Sequence, residues 1–138
     1  MPTVLVVDMA NVVGSVPDGW WRDRVGAAER LLGGLDQLSG RTVSGPDANP
    51  IRVTRVVAVL EGSANRAAGP DASRSPQSLE IARASASGDD EIAAQVTDLV
   101  SAGDRVLVVT ADRGLRLRLS PGADTTGPGW LNALLGRT

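Results

Sequence analysis

The chain contains no cysteine and no histidine, and its aromatic residues are three tryptophans, with neither phenylalanine nor tyrosine. Each absence removes a chemistry. Without cysteine there is no disulfide, no thiolate nucleophile and no cysteine zinc site. Without histidine there is no imidazole base and no Ser-His-Asp triad. An enzyme built from this sequence would do its acid–base work with carboxylates, for which a metal ion is the natural helper. Lysine is missing too, so all fourteen basic residues are arginine. A GC-rich genome explains that bias, but the planar guanidinium fork also suits phosphate. No stretch reaches the roughly eighteen apolar residues of a membrane span. The apolar start Val4–Val7 is interrupted by Asp8 and has no basic leader, unlike a signal peptide, so the expected compartment is cytoplasmic.

What is present suits one globular domain over residues 1–138, with 42% apolar residues. A chain this long buries about two-thirds of the surface it exposes when unfolded. Val, Leu, Ile and Ala carry the core, which favours buried strands and close helix contacts. A net charge of −2 argues against attachment to nucleic acid by bulk charge.

Thr3–Asp8 (TVLVVD) reads as a strand buried on both faces. From Arg22 to Leu38 the period changes to a helix, with Val25, Ala28, Leu31, Leu32, Leu35 and Leu38 on one side. Ser39–Pro50 reads as a loop and Arg52–Leu60 as a second strand. Gly62–Ser78 is rich in Gly, Ala, Ser and Pro and is expected to be a long mobile loop, with Arg66 and Arg74 able to close over a ligand. A weaker strand follows at Leu79–Arg83, a helix at Asp89–Ala102 and a strand at Arg105–Thr110. Short helices near Arg113–Leu119 and Trp130–Leu135 complete the chain, with no internal repeat. Alternating strands and helices predict a parallel sheet covered on both faces.

Ligands of such a sheet bind beyond the carboxyl ends of its strands. Asp8 ends the first strand, Glu61 follows the second, and Asp112 follows the one closing at Thr110. Asp89 and Asp90 open the long helix at the same edge. Five acids thus converge, and carboxylates with waters are the usual ligands of Mg²⁺ or Mn²⁺. Taken singly, each has a plainer reading. Asp89, Asp90 and Asp112 suit helix caps, and Glu61 suits a turn. Asn11, three residues after Asp8, can orient that acid, contact substrate or simply shape the loop. Arg22 and Arg24 follow Trp20 and Trp21, a pairing that grips single-stranded bases and phosphates or braces the loop. Arg113 and Arg116 flank the last carboxylate, in reach of a phosphate.

These segments resemble the NYN branch of the PIN-like nucleases, particularly its bacterial YacP-like members. The likeness runs through VLVVDMANVVGS at 4–15, VVAVLEG at 56–62, LEIARASASGDDEI at 79–92 and RVLVVTADRGLR at 105–116. Asp8 and Asn11 match the family's Asp-x-x-Asn, and Glu61 matches the acid after its second strand. Ser87, Gly88 and Asp89 match the hydroxyl, small and acidic residues opening its long helix. Thr110 and Asp112 match its Thr/Ser-x-Asp. The resemblance implies a three-layer α/β/α sandwich with a central, mostly parallel sheet. It also implies metal-dependent endonucleolytic cleavage of single-stranded RNA. Asp8, Asp89 and Asp112 would hold Mg²⁺ or Mn²⁺ with Glu61 and Asp90 in support, and Asn11, Ser87, Arg22, Arg113 and Arg116 would meet substrate. Two positions depart from the family. Met9 stands where a small residue is usual and a larger one would crowd the substrate, and Arg116 stands where some members carry another acid.

The runner-up is a domain of the same fold that binds RNA or a protein partner without catalysis. A haloacid-dehalogenase-type phosphatase needs a second Asp where this chain has Ala10, and a receiver domain needs a lysine. No membrane partner is expected, and a homodimer is compatible with the sequence.

Overall fold

The computed structural model describes residues 1–70 and 78–137. Five strands run parallel in the order β4(Leu79–Arg83), β3(Pro50–Leu60), β1(Pro2–Asp8), β5(Val106–Val109), β6(Ala123–Thr126). A sixth, β2(Thr42–Ser44), pairs antiparallel with the start of β3. The eleven-residue β3 therefore serves two neighbours on one edge, β2 along its first residues and β4 along its last five. From β1 the chain moves outward to β3 and β4, then returns to the other side of β1 for β5 and β6. That reversal of winding direction opens a crevice at the carboxyl end of β1.

Helices cover both faces. Leu5 and Val7 of β1, Ala58 and Leu60 of β3, and Val109 of β5 face a layer formed by α1(Met9–Val13), α2(Arg24–Leu38) and α5(Pro128–Leu135). The alternate residues Val4, Val6, Val57, Val59, Val106 and Val108 face α3(Gly88–Ser101) and α4(Arg113–Arg118). This is the α/β/α sandwich that the sequence predicts. The central strands carry the apolar runs Val4–Val7, Val56–Leu60 and Val106–Val109 because both faces are covered there. Truncating a fully enclosed residue such as Leu32, 0% exposed, to Ala costs about 2–5 kcal/mol.

The alternation in β3 changes phase partway along. Thr3 pairs with Val53 and Val4 with Arg55, so Thr54 is an extra residue, and its hydroxyl donates to the Thr3 carbonyl at 3.2 Å. Ile51 and Val53 before this bulge face the same layer as Val56, Ala58 and Leu60 after it.

Several sequence expectations need correction. Asn11 lies in a helix rather than a loop, because Asp8 caps α1 immediately after β1. The 39–50 loop contains β2, and the polar segment ADTT forms β6. The expected mobile loop begins as a 3₁₀ turn, Gly62–Arg66. Within and just after it, Arg83 donates to the carbonyls of Asn65 and Ala67, and the Ala68 amide donates to Glu29 at 2.8 Å. Arg66 is exposed on it. Arg74 and the rest of 71–77 lie outside the described residues. Among those described, no helix is long and apolar enough to cross a membrane.

Candidate active site

Asp8 is the last residue of β1 and only 7% exposed. Its two oxygens are held by different elements. Oδ1 accepts from the Asn11 amide at 3.3 Å, and Oδ2 accepts from the Thr110 hydroxyl at 2.8 Å. The Thr110 hydroxyl in turn accepts from the Asp112 amide at 3.1 Å. One buried side chain at the end of β5 therefore fixes the first acid and the backbone of the last. Asn11 closes the arrangement, its side-chain oxygen accepting from the Ala111 amide at 2.9 Å.

Asp112 caps α4, with Oδ1 accepting from the Leu115 amide at 3.0 Å. Across the crevice, Ser87 caps α3, and its hydroxyl accepts from the amides of Asp89 and Asp90. Glu61 reaches over from the end of β3 to accept from the Gly88 amide at 2.8 Å. A Cβ on residue 88 would stand 2.8 Å from the Glu61 carboxylate and would push it from its present position. Two hydrogen-bonded clusters thus stand at one sheet edge, one joining the ends of β1 and β5 and one joining the end of β3 to the start of α3.

The charges at this edge act on one another. Burial raises the Asp8 pKa above the ordinary carboxylate range, against the opposing hydrogen bonds from Thr110 and Asn11; the charges of Asp89 and Glu61 raise it further. Asp89 is raised as well, first by partial burial, then by Asp112 and Glu61, with Arg118 opposing. Acids from four segments therefore stand close enough to affect one another's charge.

The remaining expected site residues divide. Asp90 is exposed and paired with Arg118 at 2.5 Å, an arginine that sequence reasoning overlooked. Arg116 was expected to meet phosphate; instead its fork donates to the Thr110 carbonyl at 3.1 and 2.5 Å and braces the loop before Asp112. Ser87 is occupied as a cap. Arg113 is exposed beside Asp112, and Arg22 is exposed in a 3₁₀ turn at Trp20–Arg22. Met9 does not crowd the crevice, since its side chain is 1% exposed and belongs to the core. Thr110, the hinge of the network, was visible in sequence through the Thr/Ser-x-Asp resemblance, without its bond to Asp8.

Among the described residues, no three carboxylates are gathered closely enough to hold a metal ion as they stand. The donor set still fits a hard cation. It is all oxygen, it is mutually repulsive, and Mg²⁺ binds through one or two carboxylates while keeping several waters.

No protein-family model matches the chain. No curated protein matches it either. Among solved structures, the chain is similar to the crystal structure of Rae1 (YacP) from Bacillus subtilis, a W164L mutant. The TM-score is 0.64 at 17% identity, covering 97% of this chain and 75% of that one. At that identity the shared property is the fold, and the fold is YacP-like.

Proposed function

We propose that this protein is a Mg²⁺- or Mn²⁺-dependent endoribonuclease acting on single-stranded RNA. The observation that carries the reading is the rim itself: Asp8, Glu61 and Asp112 at strand ends and Asp89 at the start of α3 share one sheet edge, where the pKa values of Asp8 and Asp89 are raised. Such a site gains from a cation. The YacP-like fold agrees with the motif resemblance and extends over nearly the whole chain.

Asp8, Asp89 and Asp112 would hold the ion. When bound, it supplies an activated water and neutralises charge on the phosphodiester. The chain's own residues prepare the site. Thr110 fixes the Asp8 carboxylate, Asn11 fixes the Ala111 backbone, and the Arg116 fork keeps the Thr110–Asp112 loop from shifting. Glu61 anchors the start of α3, so its role is to place Asp89. Arg113 and Arg22 are free to meet phosphates, and Asp90 tethers α3 to α4 through Arg118.

A non-catalytic RNA- or protein-binding domain is the second reading, favoured by the lack of a preassembled ligand trio. Incubating the protein with unstructured RNA separates the two. Cleavage that needs Mn²⁺, stops with EDTA and is lost in Asp89→Asn supports the enzyme; cleavage indifferent to EDTA excludes the metal, and none at all favours the binder.

A further inference from the structure

Next to the rim lies a cavity of about 410 Å³, enclosed by α1, the Trp20–Arg22 turn, the start of α2 and the turn after β3. Its floor is apolar, with Met9, Val13 and Ala28. One wall is an aromatic–cation pair, the Arg24 guanidinium lying 5.2 Å from the centre of the Trp20 ring. The side toward the acids is Glu61, which thus borders both the cavity and the carboxylates.

We propose that this cavity receives one unpaired nucleobase of the RNA whose phosphate lies at the rim; the inference rests on the ribonuclease reading. A base is a flat ring with two apolar faces and a polar edge, and the cavity offers the counterpart of each. The apolar floor and the Trp20–Arg24 wall accept a π-face. Glu61 accepts hydrogen bonds only, so it suits the exocyclic amino group of adenine, cytosine or guanine, which uracil lacks. Charge agrees too. Arg24 at the wall and exposed Arg22 beside it offer cations to the backbone leaving the pocket. The volume lies within the ordinary range of about 300–1,000 Å³ for small-ligand sites. A larger cavity of about 800 Å³ exists at the opposite sheet end, but no aromatic side chain lines it.

Two measurements test this. The metal-free protein in EDTA is titrated with AMP and with UMP while backbone amide resonances are followed by NMR. Saturable shifts centred on Met9, Ser63, Ala64 and Ala86, with AMP the tighter ligand, are expected. Next, single-stranded RNA is compared with the same oligonucleotide carrying an abasic site beside the cleaved bond. The abasic substrate should show a KM raised about 5- to 100-fold with a smaller change in kcat, the loss that follows from removing one stacked base. Ser63→Leu and Ala86→Leu, which fill the cavity from its exposed rim, should impose that loss on intact RNA and add little on abasic RNA. EDTA-sensitive cleavage that ignores the abasic site would overturn the pocket and leave the ribonuclease standing. Nucleotide binding in the cavity without any cleavage would overturn the ribonuclease and leave a nucleobase site. Shifts that do not saturate, or that centre elsewhere, would remove the proposal.

Discussion

The two ends of the sheet place the same kind of side chain under opposite conditions. At the amino end, Asp47 accepts from the Asn49 amide at 3.0 Å and from its side chain at 3.1 Å. These bonds, with Arg105 contributing, hold its pKa below the ordinary value. At the carboxyl end, Asp8 and Asp89 are raised by burial and by neighbouring acids. The amino end has the larger cavity, yet Asp47 on its lining is held as a well-bonded carboxylate. The carboxyl end has less space, and there burial and neighbouring acids outweigh the hydrogen bonds and the Arg118 charge that oppose them. Volume and electrostatic imbalance therefore point to different ends of the sheet, and the proposed function follows the imbalance.

The largest effect that would break this contrast is on cleavage. Asp8→Asn and Asp112→Asn should each lower kcat/KM for single-stranded RNA by at least about 100-fold, the upper end of what losing a supporting partner of a metal site costs. Asp47→Asn should leave it unchanged. Equal losses at both ends, measured on folded variants, would erase the distinction.

Thr110→Val should come next. The change keeps the shape but leaves Asp8 Oδ2 and the Asp112 amide without their shared partner. A stability loss of about 1–3 kcal/mol is expected, or roughly 3–12 °C in melting temperature. A variant as stable as wild type would mean that the hydroxyl does not join the two acids.

Metal response is smaller. Mn²⁺ at ten times its dissociation constant should stabilise the wild type by about 1.4 kcal/mol. Asp89→Asn should gain much less, and Asp47→Asn should gain as much as wild type. Indifference of the wild type to Mn²⁺ in thermal melts would leave the rim without its cation.

The smallest effect concerns Asp89 alone, without metal. Its folded pKa is raised, so its charge opposes folding above that pKa, and the penalty disappears as pH falls through it toward the unfolded value. Ser87 supplies the cap, so Asp89→Asn removes charge without removing that bond. In EDTA the variant should match or exceed wild-type stability at neutral pH, by no more than about 1 kcal/mol after screening. The advantage should vanish in acid. If the variant instead melts lower at neutral pH, by the ~0.3–1 kcal/mol that a lost dipole contact costs, Asp89 is only a helix-start charge.

Much of the fold was legible because unbroken aliphatic runs such as Val4–Val7 and Val106–Val109 have few other uses than doubly covered strands. The omissions share a cause. β6 consists of Ala, Asp and two Thr, and only its pairing with β5 makes it a strand. α1 is five residues long, too short for periodicity to register. The positions of the acids were readable, since a parallel sheet sends its strand ends to one edge. Their partners were not. The Asp8–Thr110 bond spans 102 residues and the Asp90–Arg118 pair 28, and no local spacing encodes either. Arg116 illustrates the limit: adjacency to an acid suggested phosphate, while three-dimensional proximity committed it to a carbonyl.

The extra residue at Thr54 has a consequence for how the chain can change. A strand with strict alternation transmits any one-residue slip along its full length, turning every inward side chain outward. The bulge works as a phase break, so the half of β3 carrying Ile51, Val53 and the β2 pairing keeps its own parity. Length changes in the 45–50 turn can be absorbed on that side without rotating Ala58, Leu60 or the Glu61 that follows them. The two ends of the sheet thus have their inward faces set separately, and the acids stand at the end beyond the phase break.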